Sequence, residues 1–258
     1  MAGRIAVRRT HEGRVAEVVV DHDAKLNTLN PALMEDFAAA FAALARDPEL
    51  RAAVLTGAGP RAFIGGADIS VMAAMPGEAE AEAFIRLVHG SCRAIRDCPV
   101  PVIARVNGWC LGAGLEVAAA CDLRIAAESA KFGMPEVRVG IPSVVEAALL
   151  PGLIGWGRTR RLLLLAETIG AAQAEAWGLV ERVVPDAELD AAVEAWLHML
   201  LEAGPRAIRA QKALIRRWED STMTQGIAAG IEAFGASWRT EEPARMLGGF
   251  MAARRKKT

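Results

Sequence analysis

The chain has 258 residues, 53% of them hydrophobic and 24% charged, with a net charge of −1. Such a composition builds a substantial globular core and excludes a disordered or disulfide-dense chain. The balanced charge leaves no electrostatic footprint for nucleic acid or a membrane surface, and no uncharged apolar run is long enough to span a bilayer.

The N-terminal residues lack the apolar core of a secretion signal. Residues 14–21 (RVAEVVVD) read as a valine-rich strand. Asn30-Pro31 supplies an N-cap and a first-turn proline, and Leu33, Phe37, Phe41 and Leu44 follow at helical spacing. Residues 52–56 form a short buried strand closed by the turn Gly57-Ala58-Gly59-Pro60, and residues 69–79, with Pro76-Gly77, look flexible. Phe84, Leu87, Val88 and Ile95 mark a second helix, and residues 101–106 (PVIARV) a third strand. After the Asn107-Gly108 turn a helix opens near Gly114 and carries Glu116.

Residues 122–127 and 131–139 read as extended. Ser143-Val144-Val145-Glu146 fits a capping box, with Ser143 as cap and Glu146 reaching back. Helices are expected at 147–150, 157–165 and 171–177, the last stopped by Gly178, with a strand-like piece at 179–185. From Asp186 to Arg255 the pattern is helix upon helix. The composition shift near 190 separates a β/α core (1–190) from a helical portion (191–258) expected to pack against another subunit. The run Arg254-Arg255-Lys256-Lys257 reads as a solvated tail.

Cys92, Cys98, Cys110 and Cys121 lie in apolar sequence without C-x-x-C spacing, so buried free thiols in a reducing cytoplasm are expected. The four histidines are scattered, with no metal-ligand spacing, and no metal is expected. No phosphate-binding loop, dinucleotide fingerprint or nucleophile elbow is present.

Two Gly-rich turns remain, Phe63-Ile64-Gly65-Gly66-Ala67-Asp68-Ile69 and Leu111-Gly112-Ala113-Gly114-Leu115-Glu116. Each reads on its own as a tight turn. Two backbone N–H groups converging from such turns would also make an oxyanion hole, where one donor contributes about 3 kcal/mol to the transition state. Glu116 stands alone among small and apolar residues, where a carboxylate is costly to bury. Glu136, in Phe132-Gly133-Met134-Pro135-Glu136, reads alone as an exposed strand-end residue; as a pair, the two glutamates could serve as acid and base on one small substrate.

Four segments in order resemble the crotonase superfamily, the enoyl-CoA hydratase/isomerase family: Lys25-Leu26-Asn27-Thr28-Leu29-Asn30, residues 62–69, Asn107-Gly108 with residues 111–116 and Cys121-Asp122, and residues 132–136. The resemblance spans most of the chain. It implies an α/β spiral of ββα repeats, with C-terminal helices that form homotrimers, often paired into hexamers. It assigns the oxyanion N–H groups to Ala67 and Ala113 and catalysis to Glu116 and Glu136, which would hold a water, with Glu136 exchanging the proton at C2. Isomerases of the family often lack a carboxylate at the Glu116 position, so the pair implies hydration of a trans-2-enoyl-CoA to a 3-hydroxyacyl-CoA. Isomerisation, thioester hydrolysis and decarboxylation are the neighbouring chemistries. RNA binding, also found among such proteins, would call for a lysine-rich helix face, which this chain lacks.

The substrate would be an acyl-CoA thioester, with CoA part of the substrate and no other cofactor. Its contacts would come from Lys25, Leu26, Ala62, Gly65, Gly66, Asp68 and Ile69, with Phe250 supplied by a neighbouring subunit. The lysine expected three residues after Phe250 is Ala253 here, with Arg254 or Arg255 as substitutes. Met72, Met75, Trp109, Met134 and Val145 are the expected acyl-pocket residues. The family's Gly-rich stretch beginning Pro-Gly is replaced by Pro142-Ser143-Val144-Val145-Glu146. Either this is a helix start, or it reshapes the acyl pocket and brings Glu146 toward substrate.

Overall fold

The computed structural model describes residues 3–255. Valines of β2 (Val15–Asp21) seed the main sheet, pairing antiparallel with β1 (Arg4–Thr10) and parallel with β3 (Ala52–Gly57). Parallel pairing continues through β5 (Val102–Val106), β7 (Leu123–Ala127) and β10 (Arg182–Val184). A parallel sheet needs apolar cover on both faces, which is why β3 and β7 are nearly continuous apolar runs.

On one face Val18, Val20, Leu55 and Val106 meet α1 (Pro31–Ala45) and α3 (Glu78–Asp97) in the larger core. The Asn30 side chain accepts the Leu33 N–H and starts α1 as its sequence predicts. On the other face Val15, Val54, Ile103 and Ile125 meet Leu189, Val193 and Leu197 of α7 (Leu189–Glu202). The chain closes with α8 (Pro205–Glu219), α9 (Met223–Ser237) and α10 (Glu242–Arg255).

A second sheet stands beside the first, in the order β4 (Ala62–Ile64), β6 (Trp109–Leu111), β8 (Lys131–Gly133) and β9 (Thr168–Gly170). The strands β3, β5 and β7 each hand the chain to a short strand and then to a helix or helical turn, the ββα repeat. The short α2 (Ile69–Ala73) precedes α3, α4 (Ala113–Ala120) follows β6, and α5 (Leu150–Leu165) and α6 (Ala171–Trp177) flank β9. Strands of three residues are too short to show a period, so β4, β6 and β9 carry no sequence signal.

Four expectations are corrected. The flexible-looking stretch at 69–79 contains α2, capped by Asp68, whose side chain accepts the Ser70 N–H. The extended reading of 131–139 ends at Gly133, after which a 3₁₀ turn, Glu136–Val139, stops at left-handed Gly140 (φ +81). The helix expected at 147–150 is a 3₁₀ turn, Val145–Leu149, and that expected at 157–165 is the end of α5, which starts at Leu150 and breaks at Gly155 (φ +75). The capping box at 143–146 does not form: the Ser143 hydroxyl goes to Glu136, and the turn Val145–Leu149 has no side-chain cap. Of the basic tail, Lys256 and Lys257 lie outside the described residues.

Two buried asparagines fix the link from β3 to β4. Asn107 accepts from Thr56 Oγ1 at 3.2 Å and donates to the carbonyls of Gly57 (3.0 Å) and Gly59 (2.7 Å). Asn27, held in the left-handed region (φ +57), donates to Ala58 O at 2.9 Å and Ala62 O at 2.8 Å, and accepts the His22 N–H at 2.9 Å. Removing either side chain orphans several buried backbone groups. Asn27→Ala is expected to lower unfolding free energy by about 2–4 kcal/mol, read as a lower denaturation midpoint in urea with an unchanged slope.

Candidate active site

The N-terminus of α4 lies against β4 because Gly114 allows it: a Cβ there would collide with the Ile64 carbonyl. Gly112 turns the chain into the helix at φ +50, ψ −123, and a Cβ on it would strike Glu136 Oε1. Ala113 is the first helical residue, so its N–H has no intrahelical acceptor. Opposite, an isolated parallel bridge joins Leu29 to Ala67: Leu29 N–H donates to Gly66 O at 2.9 Å and Asp68 N–H to Leu29 O at 2.8 Å. That alternation turns the Ala67 N–H away from Leu29. Ala67 and Ala113 both line one cavity of about 340 Å³.

Glu116 and Glu136 line the same cavity. Glu116, in the first turn of α4, is 4% exposed, and its Oε1 accepts the Ala147 N–H at 3.3 Å. Glu136 Oε2 accepts the Ser143 hydroxyl at 2.7 Å. Burial pushes the Glu116 carboxyl up to about 8, the negative charge of Glu136 adds to the rise, and the Ala147 N–H opposes it. At neutral pH Glu116 therefore holds a proton beside a second carboxyl group that accepts hydrogen bonds. Two backbone N–H groups and such a pair around a small apolar cavity can bind an oxyanion and move a proton at a neighbouring carbon.

Gly65, Gly66 and Ile69, expected at CoA, and Met72, expected at the acyl pocket, all line this cavity. Phe84 of α3 separates it from an open groove that takes in Lys25, Asp68 and Met75. Lys25 Nζ lies 3.0 Å from Asp68 Oδ2, and this bond holds the Asp68 carboxyl below the ordinary carboxylate range. Leu26 is left-handed (φ +55), and its carbonyl accepts the Gly65 N–H at 2.9 Å. Ala62 is buried in β4.

Other expected pocket residues fall elsewhere. Met134 is buried in the core, Trp109 is exposed on β6, and Met75 faces the groove. Val145 packs on the core, and its neighbour Val144 supplies the cavity wall. Phe250 is exposed on α10 and belongs to neither lining. Glu146 is buried and paired with His89 of α3, Nδ1 to Oε1 2.8 Å, and is not in the cavity wall. Sequence reasoning misses the hydroxyl of Ser143 on Glu136. The signal was Gly140, whose positive φ folds residues 141–144 back over the glutamate. Among the described residues no group of three or more His, Cys, Asp or Glu is placed to hold a metal ion.

The family model for enoyl-CoA hydratase/isomerase matches residues 10–256. The chain is 35% identical to the short-chain-enoyl-CoA hydratase of Clostridium acetobutylicum, over 95% of this chain and 94% of that protein. It is 34% identical to the crotonyl-CoA hydratase of Syntrophomonas wolfei, with the same coverage of both chains. The crystal structure of enoyl-CoA hydratase from Bacillus anthracis superposes with a TM-score of 0.91 at 30% identity, over 98% of this chain and 96% of that one.

The high proton affinity of Glu116 has a consequence for stability. A carboxyl raised from its unfolded value of 4.5 to about 8 favours folding while protonated in the native state, and that contribution is lost as pH rises between those values. Glu116→Gln is expected to flatten the fall of Tm with pH across this window and to leave the variant more stable than the parent above pH of about 8. Thermal scans in buffers from pH of about 5 to about 9 read this directly, and identical profiles would contradict the assignment.

Proposed function

We propose that this chain, which belongs to the enoyl-CoA hydratase/isomerase family, hydrates a trans-2-enoyl-CoA to a 3-hydroxyacyl-CoA. One observation carries the reading: Glu116 and Glu136 line a single apolar cavity together with Ala67 and Ala113. In the proposed reaction the Ala67 and Ala113 N–H groups bind the thioester oxygen and stabilise the enolate that forms as C3 is attacked. Glu116, protonated at rest, and Glu136 hold one water. Its oxygen bonds to C3 while Glu136 takes its proton and passes it to C2, so one water is consumed and the pair returns to its starting charge. The reaction draws on CoA only as part of the substrate, and we assign it no other cofactor.

The pantetheine and nucleotide would follow the groove past Phe84 to Lys25, Asp68 and Ile69. Because Asp68 already holds Lys25, a phosphate has to compete for that ammonium group or share it. The cavity walls, Met72, Ile85, Val88 and Val144, fit a short uncharged acyl chain.

We also assign the chain to a homotrimer or a pair of trimers. Ile227, Ile231 and Phe234 on α9, Trp238 just past its end, and Trp156, Leu164 and Leu165 on α5 leave large apolar side chains uncovered on one chain. Four free cysteines, all buried, suit a cytoplasmic location. No helix among the described residues is long and apolar enough to cross a membrane.

Crotonyl-CoA is the first substrate to test. Glu116→Gln and Glu136→Gln are each expected to lower kcat by about 10²–10⁴-fold, with the product of the parent enzyme gaining the mass of one water. Parent-like turnover in both variants would remove the two glutamates from the reaction. If Glu116→Gln spares conversion of a 3-enoyl-CoA that Glu136→Gln abolishes, the protein is an isomerase. Light scattering is expected to give three or six chains per particle; a monomer would contradict the assembly.

A further inference from the structure

Three consecutive residues beyond Ser143 carry features that the proposed reaction leaves unexplained. Val145 has φ +39, a conformation a β-branched residue adopts only when its surroundings impose it. Glu146 is 8% exposed; its Oε1 meets His89 Nδ1 at 2.8 Å, and its Oε2 is buried without a hydrogen-bond partner. Ala147 donates its N–H to Glu116 Oε1. A strained residue, a buried anchor and the donor to Glu116 thus follow one another directly.

A carboxylate buried with at best the weak Cys92 thiol as a donor besides His89 is costly, and a left-handed valine is costly too. Neither would persist unless the turn were held from outside. The turn packs against both α3 and α4, and His89 reaches it from α3. With Glu146 as the acceptor, the ring nitrogen supplies the proton of the bond. Cys92 of α3 and Glu116 of α4 also face Glu146, and neither brings positive charge.

We infer that the His89–Glu146 pair is a latch that holds Val145 in its strained conformation and so keeps the Ala147 N–H on Glu116, which makes Glu146 and His89 positioning residues for the reaction. The inference rests on the reading of Glu116 as a reacting group. Release of the latch lets Val145 relax to negative φ, and that rotation carries the 146–147 peptide away from the carboxyl group. Gly-rich backbone would hold the same turn without strain, and here a valine is held by the His89–Glu146 hydrogen bond.

A two-residue cycle tests the latch. Glu146→Ala is expected to lower kcat on crotonyl-CoA about tenfold or more with KM within about twofold, and Glu146→Gln, which keeps the acceptor for His89, to stay within about threefold of the parent. Adding Val145→Gly to Glu146→Ala is expected to recover at least half of the lost turnover on a logarithmic scale, because glycine reaches φ +39 without strain. The same cycle read by Tm needs no substrate: Val145→Gly should be more favourable in the parent than in Glu146→Ala by about 2 °C or more. Additive Tm changes, or a Glu146→Ala variant with parental kcat, would overturn the latch even in an active hydratase. A parent without hydratase activity but with a coupled Tm cycle would overturn the functional reading and leave the latch standing.

Discussion

The site depends on keeping one carboxyl group, Glu116, in a place where water cannot solvate its charge. Burial and the neighbouring Glu136 together hold a proton on it at neutral pH. That single electrostatic constraint accounts for much of the surrounding backbone. Gly114 brings α4 close enough to β4 to exclude water, and Gly112 makes the turn without a side chain that would displace Glu136. Ala147 answers one oxygen of the buried group. A protonated acid in a dry cavity is also a stronger electrostatic partner for whatever binds there, since the low dielectric that penalises its charge magnifies each aligned dipole.

The two sheets divide the mechanical work. The main sheet is buried on both faces and provides rigidity; the short strands β4, β6 and β8 run parallel beside it and deliver three loops to one place. Ala67 follows β4, Ala113 follows β6 and Glu136 follows β8. Each short strand needs only enough hydrogen bonds to fix the direction of its loop, and Asn27 and Asn107 add side-chain bonds where the ladder is too short. Groups far apart in sequence therefore meet with little loop between strand and site, which is how a few backbone N–H groups can be aimed without long flexible segments.

Much of this was legible in the residues. Asn30-Pro31 announced α1, Gly178 ended α6, and the isolated charge of Glu116 marked the cavity before any geometry was known. The pairing with Glu136 was legible only through the order of four motifs, because nothing in a spacing of twenty residues shows that two side chains converge. The misreading at 143–146 has a physical cause. Ser-x-x-Glu has the spacing of a capping box, yet a box requires the serine oxygen to accept from the backbone, and this hydroxyl donates to Glu136 instead. Local pattern lost to a stronger tertiary acceptor. Trp109 and Met134 do not reach the pocket: Trp109 is exposed on β6, and Met134, the residue after β8, is buried in the core.

The groove and the cavity carry charge in different ways. At the groove a half-exposed Lys25 compensates the buried Asp68 carboxylate, so solvent reaches the ammonium group and not its partner. Glu116 and Glu136 sit beyond Phe84, in a space lined mainly by apolar side chains. Exposed Arg138 also contributes to the cavity wall, yet burial keeps the proton affinity of Glu116 high. Phe84 lines both spaces, so one short path leads from the Lys25–Asp68 pair to the buried acid. The ordering follows from solvation: the buried Asp68 keeps its charge because Lys25 pairs with it, whereas Glu116, buried with no cation paired to it, keeps its proton instead.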